Sequence, residues 1–248
     1  MNPPPSPVVL EYLDLDTPTL ALPTSSLDSA ERERAARFHF EEDRRRFIHG
    51  RAWLRLRVAE LLGMEPAAVA FTTVGERGKP AVLSIVGGSL LPTGTVPTFN
   101  LSHSAQHGLL ALHAGGLPLG VDLELARPFE RAARIAARHF NAAEAAAVAA
   151  AAEGAEREAV FFRTWTRKEA YLKLTGLGLP GGLACVETGT EAAARSLRVP
   201  AEHGLASAWV TSLTLPADPR SHAPPGHPAA VLAALAAPHA VPLVWRKP

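Results

Sequence analysis

Five residues, Gly120-Val121-Asp122-Leu123-Glu124, constrain this chain more than any other stretch. Apolar residues alternate with carboxylates behind a glycine, the pattern of a β-strand. In an extended chain, residues two apart point to the same side, about 6.5–7 Å apart. Asp122 and Glu124 therefore present two carboxylates side by side. Adjacent negative charges repel unless a cation lies between them or water solvates both. One or two carboxylates, completed by waters and substrate phosphates, are a common way to hold Mg²⁺. An edge strand with a solvent-facing acidic stripe needs no ion at all. These residues alone leave both readings standing.

Composition narrows the rest. A chain of 248 residues suits one large domain or two small ones, and a hydrophobic content of 47% supports a sizeable core. A formal net charge of +1 marks neither nucleic acid nor membrane as the partner. The single cysteine, Cys185, rules out an intramolecular disulfide and a cysteine metal cage, and fits a reducing compartment. No run of about 18 apolar residues occurs, so no membrane span is expected. Residues 1–7 lack the basic and apolar regions of a signal peptide and read as a flexible proline-rich tail. The expectation is a cytoplasmic protein.

The pattern predicts strands at Val8–Leu13, Val69–Val74, Ala81–Ile85, Thr98–Ser104 and Gly108–Leu112, the last two antiparallel partners. Asp28 caps a helix running to about Phe38, and a second helix spans Glu41–Leu62 and ends at Gly63. Gly75–Pro80 is a turn and Gly87–Pro97 a loop. After the acidic strand come helices at Phe129–His139, Ala142–Ala152 and Ala155 to about Leu174. Strands follow at Leu183–Glu187, Ser196–Val199, Ala206–Leu215, Ala229–Ala236 and Val241–Trp245, with a proline-rich loop at Asp218–Pro228. The order strand, helices, strands occurs twice. The expected fold class is α+β, two similar halves, each a small sheet packed with helices. The boundaries are residues 8–116 for the first half and 117–248 for the second.

Three further stretches carry chemistry. The helix Glu41–Leu62 holds Arg44, Arg45, Arg46, Arg51, Arg55 and Arg57, which make either a solvated basic face or a surface for phosphate or an acidic protein. Ser102-His103-Ser104 sits at a strand end, where sites collect. On the helix through Trp165, the residues Trp165, Glu169, Leu172 and Lys173 share a face. Glu169 and Lys173 alone would be an ordinary surface ion pair, but Phe161, Phe162, Trp165 and Leu172 mark part of that helix as buried.

Taken in order, these stretches carry a family signature. Gly78-Lys79-Pro80, then Phe99-Asn100-Leu101-Ser102-His103-Ser104, then the acidic strand, then Trp165-Thr166-Arg167-Lys168-Glu169-Ala170-Tyr171-Leu172-Lys173 closely resemble the 4'-phosphopantetheinyl transferases. The likeness is to the larger, Sfp-type branch, whose single chain holds two pseudo-symmetric halves with the active site at their interface. It covers roughly Glu31 to Gly178.

The resemblance implies transfer of the 4'-phosphopantetheine arm of coenzyme A to a serine of an apo acyl or peptidyl carrier protein, releasing 3',5'-ADP. It implies Mg²⁺, with Mn²⁺ the alternative, held by Asp122, Glu124 and Glu169. Ser102 and His103 match residues contacting the coenzyme A phosphates. Gly78, Lys79 and Pro80 match a segment along the nucleotide, and Arg34 and Arg46 match basic residues near the 3'-phosphate. Asp122 falls in the same substrate-binding set. Lys173 matches a lysine placed to stabilise or protonate the leaving phosphate. Glu169 and Glu144 are both candidates to take the serine proton. Glu31 departs from the pattern, standing where a basic residue often contributes to the 3'-phosphate pocket. The resemblance also implies a monomer, in fatty-acid, polyketide or peptide biosynthesis.

Two other classes are set against this reading. One is a non-catalytic protein that keeps a coenzyme A pocket, which loss of the carboxylates would favour; all three are present. The other is a nucleic-acid binder using the arginine helix, which would need interleaved aromatics or a basic domain. Only Phe47 and Trp53 lie nearby. Arg51 and Arg55 are instead expected to steer an acidic carrier protein toward the pocket.

Overall fold

The computed structural model describes residues 6–74, 79–82, 85–86, 89–90, 96–178, 182–215 and 231–247. Residues 75–78 of the expected 75–80 turn, most of the 87–97 loop, the proline-rich 218–228 loop and the first residues of the tail lie outside them, while Lys79 and Pro80 are in a strand and not in a turn. In chain order the elements are β1 (Val8–Asp14), α1 (Ser29–Ala36), α2 (Glu41–Leu62), β2 (Phe71–Val74), β3 (Lys79–Val82), β4 (Ile85–Val86), β5 (Ser89–Leu90), β6 (Thr98–Ser104) and β7 (His107–His113). Then follow β8 (Gly120–Leu125), α3 (Ala132–His139), α4 (Ala142–Ala150), α5 (Ala155–Thr175), β9 (Arg195–Leu197), β10 (Ala208–Leu213), β11 (Val231–Ala237) and β12 (Leu243–Arg246). The fold is α+β, in two sheet-plus-helix units.

The first unit holds a four-stranded sheet in the order β12-β1-β7-β6. Here the structure departs from the expectation that residues 117–248 form one half, because residues 242–248 belong to this unit. Strand β12 pairs in parallel with β1, Val8 opposite Leu243 and Leu10 opposite Trp245, so the chain's end returns to the first unit. Buried Glu11 on β1 takes two hydrogen bonds from Arg57 on α2, at 2.6 and 2.5 Å, and Glu60 bridges Arg57 to Arg246 on β12. That chain of charges links α2 to both strands, beside the backbone pairing that holds β12. Trp53, Leu54 and Val58 of α2 pack into a core with Leu13, Phe99, Leu110 and Leu112.

Helix α1 starts where expected. The Asp28 side chain accepts from Glu31 N, and the Glu31 side chain accepts from Asp28 N, a reciprocal capping box. Helix α2 has three acids in its first turn, which suit the positive end of the helix dipole, and stops at Gly63 in the left-handed region, φ 64°.

The second unit contains an antiparallel sheet in the order β8-β11-β10-β9, and the 102–105 segment at the end of β6 belongs to it. Helix α5 lies against β8 and β11. It buries Phe161, Phe162, Tyr171, Leu172 and Leu174 in a core shared with Val148, Val210 and Ala234. It approaches the sheet closely at Gly120, where any Cβ would overlap the Ala170 carbonyl and the Leu174 nitrogen. The expected strand at Leu183–Glu187 is instead a run of turns and bends. Lys168 ties down the Val186 carbonyl at 2.7 Å there, and the Thr188 and Gly189 amides turn inward to Glu144. No helix among the described residues is long and apolar enough to cross a membrane.

Candidate active site

The site is built from two matched pairs in the second unit. On β6, Ser102 and Ser104 are two residues apart and face one way. On β8, Asp122 and Glu124 do the same. Ser102 Oγ donates to Asp122 Oδ1 at 2.9 Å, and Ser104 Oγ to Glu124 Oε2 at 2.8 Å. Ser104 Oγ also accepts from Leu125 N at 3.2 Å, which fixes the hydroxyl between backbone and carboxylate. The strand period that predicted adjacent carboxylates thus also supplies a hydroxyl for each.

Helix α5 adds a cation and a third acid. Lys173 Nζ lies 2.7 Å from Asp122 Oδ1 and 2.9 Å from Ser102 Oγ, so one ammonium, one hydroxyl and one carboxylate oxygen form a closed triangle. Asp122 is 5% exposed, and its second oxygen, Oδ2, is buried without a hydrogen-bond partner. Glu169, one turn before Lys173, also has a buried oxygen, Oε1, with no partner. Burial pushes the Glu169 carboxyl up to about 7; the Asp122 charge adds to this, Lys173 opposes it, and Glu124 adds a smaller push. Glu124 is raised too, first by burial and then by Asp122, with the Ser104 hydrogen bond opposing. The three carboxylates share one electrostatic neighbourhood, and burying unpaired carboxylate oxygens is costly.

Among the described residues no group of three or more His, Cys, Asp and Glu side chains is drawn together as a finished metal cluster. Lys173 is the cation beside Asp122. The two orphaned oxygens are hard donors, the type that Mg²⁺ takes. Asp122, Glu169 and Glu124 are the residues whose chemistry fits a divalent cation.

The other expected residues fall as follows. His103 alternates to the opposite side of β6 from Ser102 and is exposed, so it does not join this group. Glu144 is 2% exposed and held on both oxygens: its Oε1 accepts from Thr188 N at 2.7 Å, Thr188 Oγ1 at 3.1 Å and Gly189 N at 2.9 Å, and its Oε2, without a hydrogen bond, is ion-paired with Lys168 Nζ at 2.6 Å. It stands outside the charges that act on Glu169. Lys79 and Pro80 form the start of β3, and Gly78 lies outside the described residues. Arg34 is exposed, its guanidinium 5.3 Å from the Phe47 ring centre. Arg46 is clamped by both oxygens of Asp16, at 2.9 and 2.8 Å, which holds the Asp16 carboxyl below its ordinary range.

The arginine helix corrects an expectation. Arg51 and Arg55 do not form a free surface for a carrier. Arg55 is 1% exposed and donates to Glu31 at 2.7 Å and to Asp28 at 2.8 Å. Arg51 donates to Glu31 at 2.6 Å and lies over the Phe71 ring. Glu31, the departure from the family pattern, is thus the buried acid that binds α1 to α2. Ser104, Asp16 and Glu31 are positioning residues whose partners the sequence did not show, and Asp16 was not singled out at all. For Ser104 the signal was available, a second hydroxyl two residues after Ser102 on a strand. Asp16 and Glu31 act through long-range pairs that leave no local pattern.

The comparisons agree in both parts of the chain. The profile of the 4'-phosphopantetheinyl transferase superfamily matches residues 118–230, and that of the 4'-phosphopantetheinyl transferase N-terminal region matches residues 16–114. The 4'-phosphopantetheinyl transferase HetI of Nostoc sp. is 39% identical over 174 residues, which covers 69% of this chain and 70% of that protein. The 4'-phosphopantetheinyl transferase psf-1 of Bacillus pumilus is 36% identical over 156 residues, 62% of this chain and 59% of the relative. The 4'-phosphopantetheinyl transferase Sfp of Bacillus subtilis is 28% identical over 155 residues, 62% of each chain. For the last two, the match spans less than two thirds of the relative.

Proposed function

This chain belongs to the 4'-phosphopantetheinyl transferase superfamily, and from that premise we propose that it moves the phosphopantetheine arm of coenzyme A to a serine of an apo acyl or peptidyl carrier protein. The serine oxygen attacks the phosphorus that bears the pantetheine arm. The bond from that phosphorus to the bridging pyrophosphate oxygen breaks, and 3',5'-ADP leaves with the electron pair. The serine proton passes to a carboxylate of the enzyme. The observation that carries this reading is the Lys173–Asp122–Ser102 triangle beside two orphaned carboxylate oxygens. It supports the reading because an ammonium and unused hard oxygen donors stand together, the groups that developing phosphate charge calls for.

The chain's own residues divide the work. Lys173, released from Asp122, is placed to neutralise the departing phosphate. Ser102 offers its hydroxyl to a phosphate oxygen. Glu169, its carboxyl raised to about 7, is better suited than Glu144 to take a proton near neutral pH. Glu144 already accepts three hydrogen bonds and pairs with Lys168, which leaves it a structural acid. Asp122, Glu124 and Glu169 would hold the divalent cation. When bound, Mg²⁺ supplies charge neutralisation and orientation of the pyrophosphate. Ser104 keeps Glu124 aimed through its hydrogen bond. For the nucleotide, Arg34 and Arg46 are the proposed 3'-phosphate ligands, with His103 and the Gly78–Pro80 segment along the phosphates and ribose. Asp16 pre-orients Arg46 by its two-point grip. With Glu31 committed internally, Arg34 and Arg46 carry that pocket without it.

A nucleic-acid role finds little support. Arg46, Arg51, Arg55 and Arg57 each spend their charge on a carboxylate of this chain. The test of the proposal is release of 3',5'-ADP from coenzyme A, strictly dependent on an apo carrier and on Mg²⁺. A carrier with its acceptor serine changed to alanine gives none. Release that ignores the carrier would point to a plain coenzyme A hydrolase or binder.

A further inference from the structure

On the opposite side of α5 from Glu169 lies a buried cation that the transfer reaction does not use. Arg167 is fully buried, two residues before Glu169 and so about 160° around the helix from it. Its guanidinium meets neutral acceptors: Nε donates to the Thr188 carbonyl at 2.9 Å, and Nη1 to the Ala193 carbonyl at 3.1 Å and to Ser212 Oγ at 3.3 Å. Among the described residues no carboxylate comes within ion-pair distance of it. A buried charge without a counter-charge is unfavourable.

Arg167 lines a cavity of about 430 Å³, together with Arg195, Glu144, Glu187, Gly189 and Glu191. That volume lies in the range of small-molecule sites. The acids in its wall are largely committed. Glu144 is taken by Lys168 and the loop amides. Glu187 pairs with Arg195 at 2.7 Å. Glu191 is exposed and forms no ion pair among the described residues. Arg195 lies against Gly189, where a Cβ would meet its Nη1 at 2.8 Å. Glycine is what lets this second guanidinium rest over the loop. Arg163, one turn before Arg167, holds the Thr190 carbonyl of the same loop at 3.3 Å. Burial lowers the Arg167 guanidinium to about 10, Arg195 and Arg163 push the same way, and Glu144 and Glu191 oppose them. It stays charged at neutral pH, with Arg195 and Arg163 both repelling it.

We propose that this cavity binds a small oxyanion, a phosphoryl or carboxylate group, held by Arg167 from the wall and Arg195 from the rim. An oxyanion would supply the counter-charge Arg167 lacks, in the fork geometry a guanidinium favours. The site uses the face of α5 away from the transferase residues and does not depend on the function proposed above.

Isothermal titration of the full chain with inorganic phosphate and, separately, with succinate tests it. The Lys173→Met background lowers the phosphate affinity expected at the transferase site, and only binding that Arg195→Ala weakens counts as binding in this cavity. Saturable binding of at least one probe is expected, weakened about tenfold or more by Arg195→Ala and lost in Arg167→Met. Arg195 is half exposed, so Arg195→Ala reads the site even where Arg167→Met fails to fold. Binding of phosphate alone identifies a phosphoryl ligand, and of succinate alone a carboxylate. No saturable binding of either probe, or an affinity unchanged by Arg195→Ala, overturns the proposal. Arg195→Ala is expected to leave phosphopantetheine transfer unchanged.

Discussion

Lys173 holds its ammonium 2.7 Å from Asp122, across from strand β8, and the two are brought together by the absence of a side chain at Gly120. The helix backbone occupies the space where a Cβ would stand. The position of the cation relative to the carboxylates is therefore set by backbone contact, not by side-chain flexibility. Gly120→Ala should push α5 off the sheet, destabilising the fold by about 2–3 kcal/mol in urea unfolding, with a loss of transfer larger than the lost stability explains.

Lys173→Met keeps much of the side chain's length and removes the charge. Transfer should fall about 10²–10³-fold in kcat, with little change in KM for coenzyme A, because the interaction is needed where charge develops. Steady-state kinetics on a purified carrier checks it. A raised KM with kcat intact would make Lys173 a binding residue only.

Glu169 gives the metal-free protein a pH-dependent stability of definite sign. Its carboxyl titrates near 7 when folded, against 4.5 ordinarily. Between these values the folded chain binds more protons than the unfolded one, so stability falls as pH rises. The contribution is complete below about pH 4.5 and is lost as pH passes through 7. Melting temperature without metal should drop from pH 5 to pH 8, and Glu169→Gln should flatten that slope. Mg²⁺ at pH 8 should restore part of the loss in the parent protein and not in Glu169→Gln or Asp122→Asn, since a ligand that binds only the folded state raises its stability. Calorimetric scans at several pH values provide the readout.

Glu31 separates structure from substrate binding. It is nearly buried between Arg51 and Arg55. Glu31→Ala leaves Arg55 with Asp28 and two backbone carbonyls but removes the acid shared with Arg51, and should cost about 1–3 kcal/mol of stability, measured by denaturant titration, while the KM for coenzyme A changes little in the folded fraction. A large rise in KM at unchanged stability would put Glu31 in the nucleotide pocket.

The legible parts of this chain were those with short-range rules. Helix α2 runs over the residues its periodicity gave and stops at the glycine expected to stop it. The Asp28 cap is in place, and the acidic strand has the two-residue period that pairs its carboxylates. The 183–187 segment misled because an apolar run there serves a buried loop, pinned by Lys168 and Glu144 from distant helices. The return of β12 to β1 was hidden for a similar reason: it pairs strands from opposite ends of the chain, Val8 with Leu243. At the site, residue types and spacing exposed Asp122, Glu124, Glu169 and Lys173. They did not show that Lys173 would rest on Asp122, or that Glu144 would be consumed by amides.

The central claim is that this cluster of acids and one lysine serves phosphopantetheine transfer. Intact-mass measurement of a panel of apo acyl and peptidyl carriers, incubated with the protein, coenzyme A and Mg²⁺, tests it most directly. The account predicts that at least one carrier gains the mass of phosphopantetheine, and that Asp122→Ala protein, folded by circular dichroism, adds none. No gain on any carrier, or an undiminished gain with the Asp122→Ala protein, would contradict it.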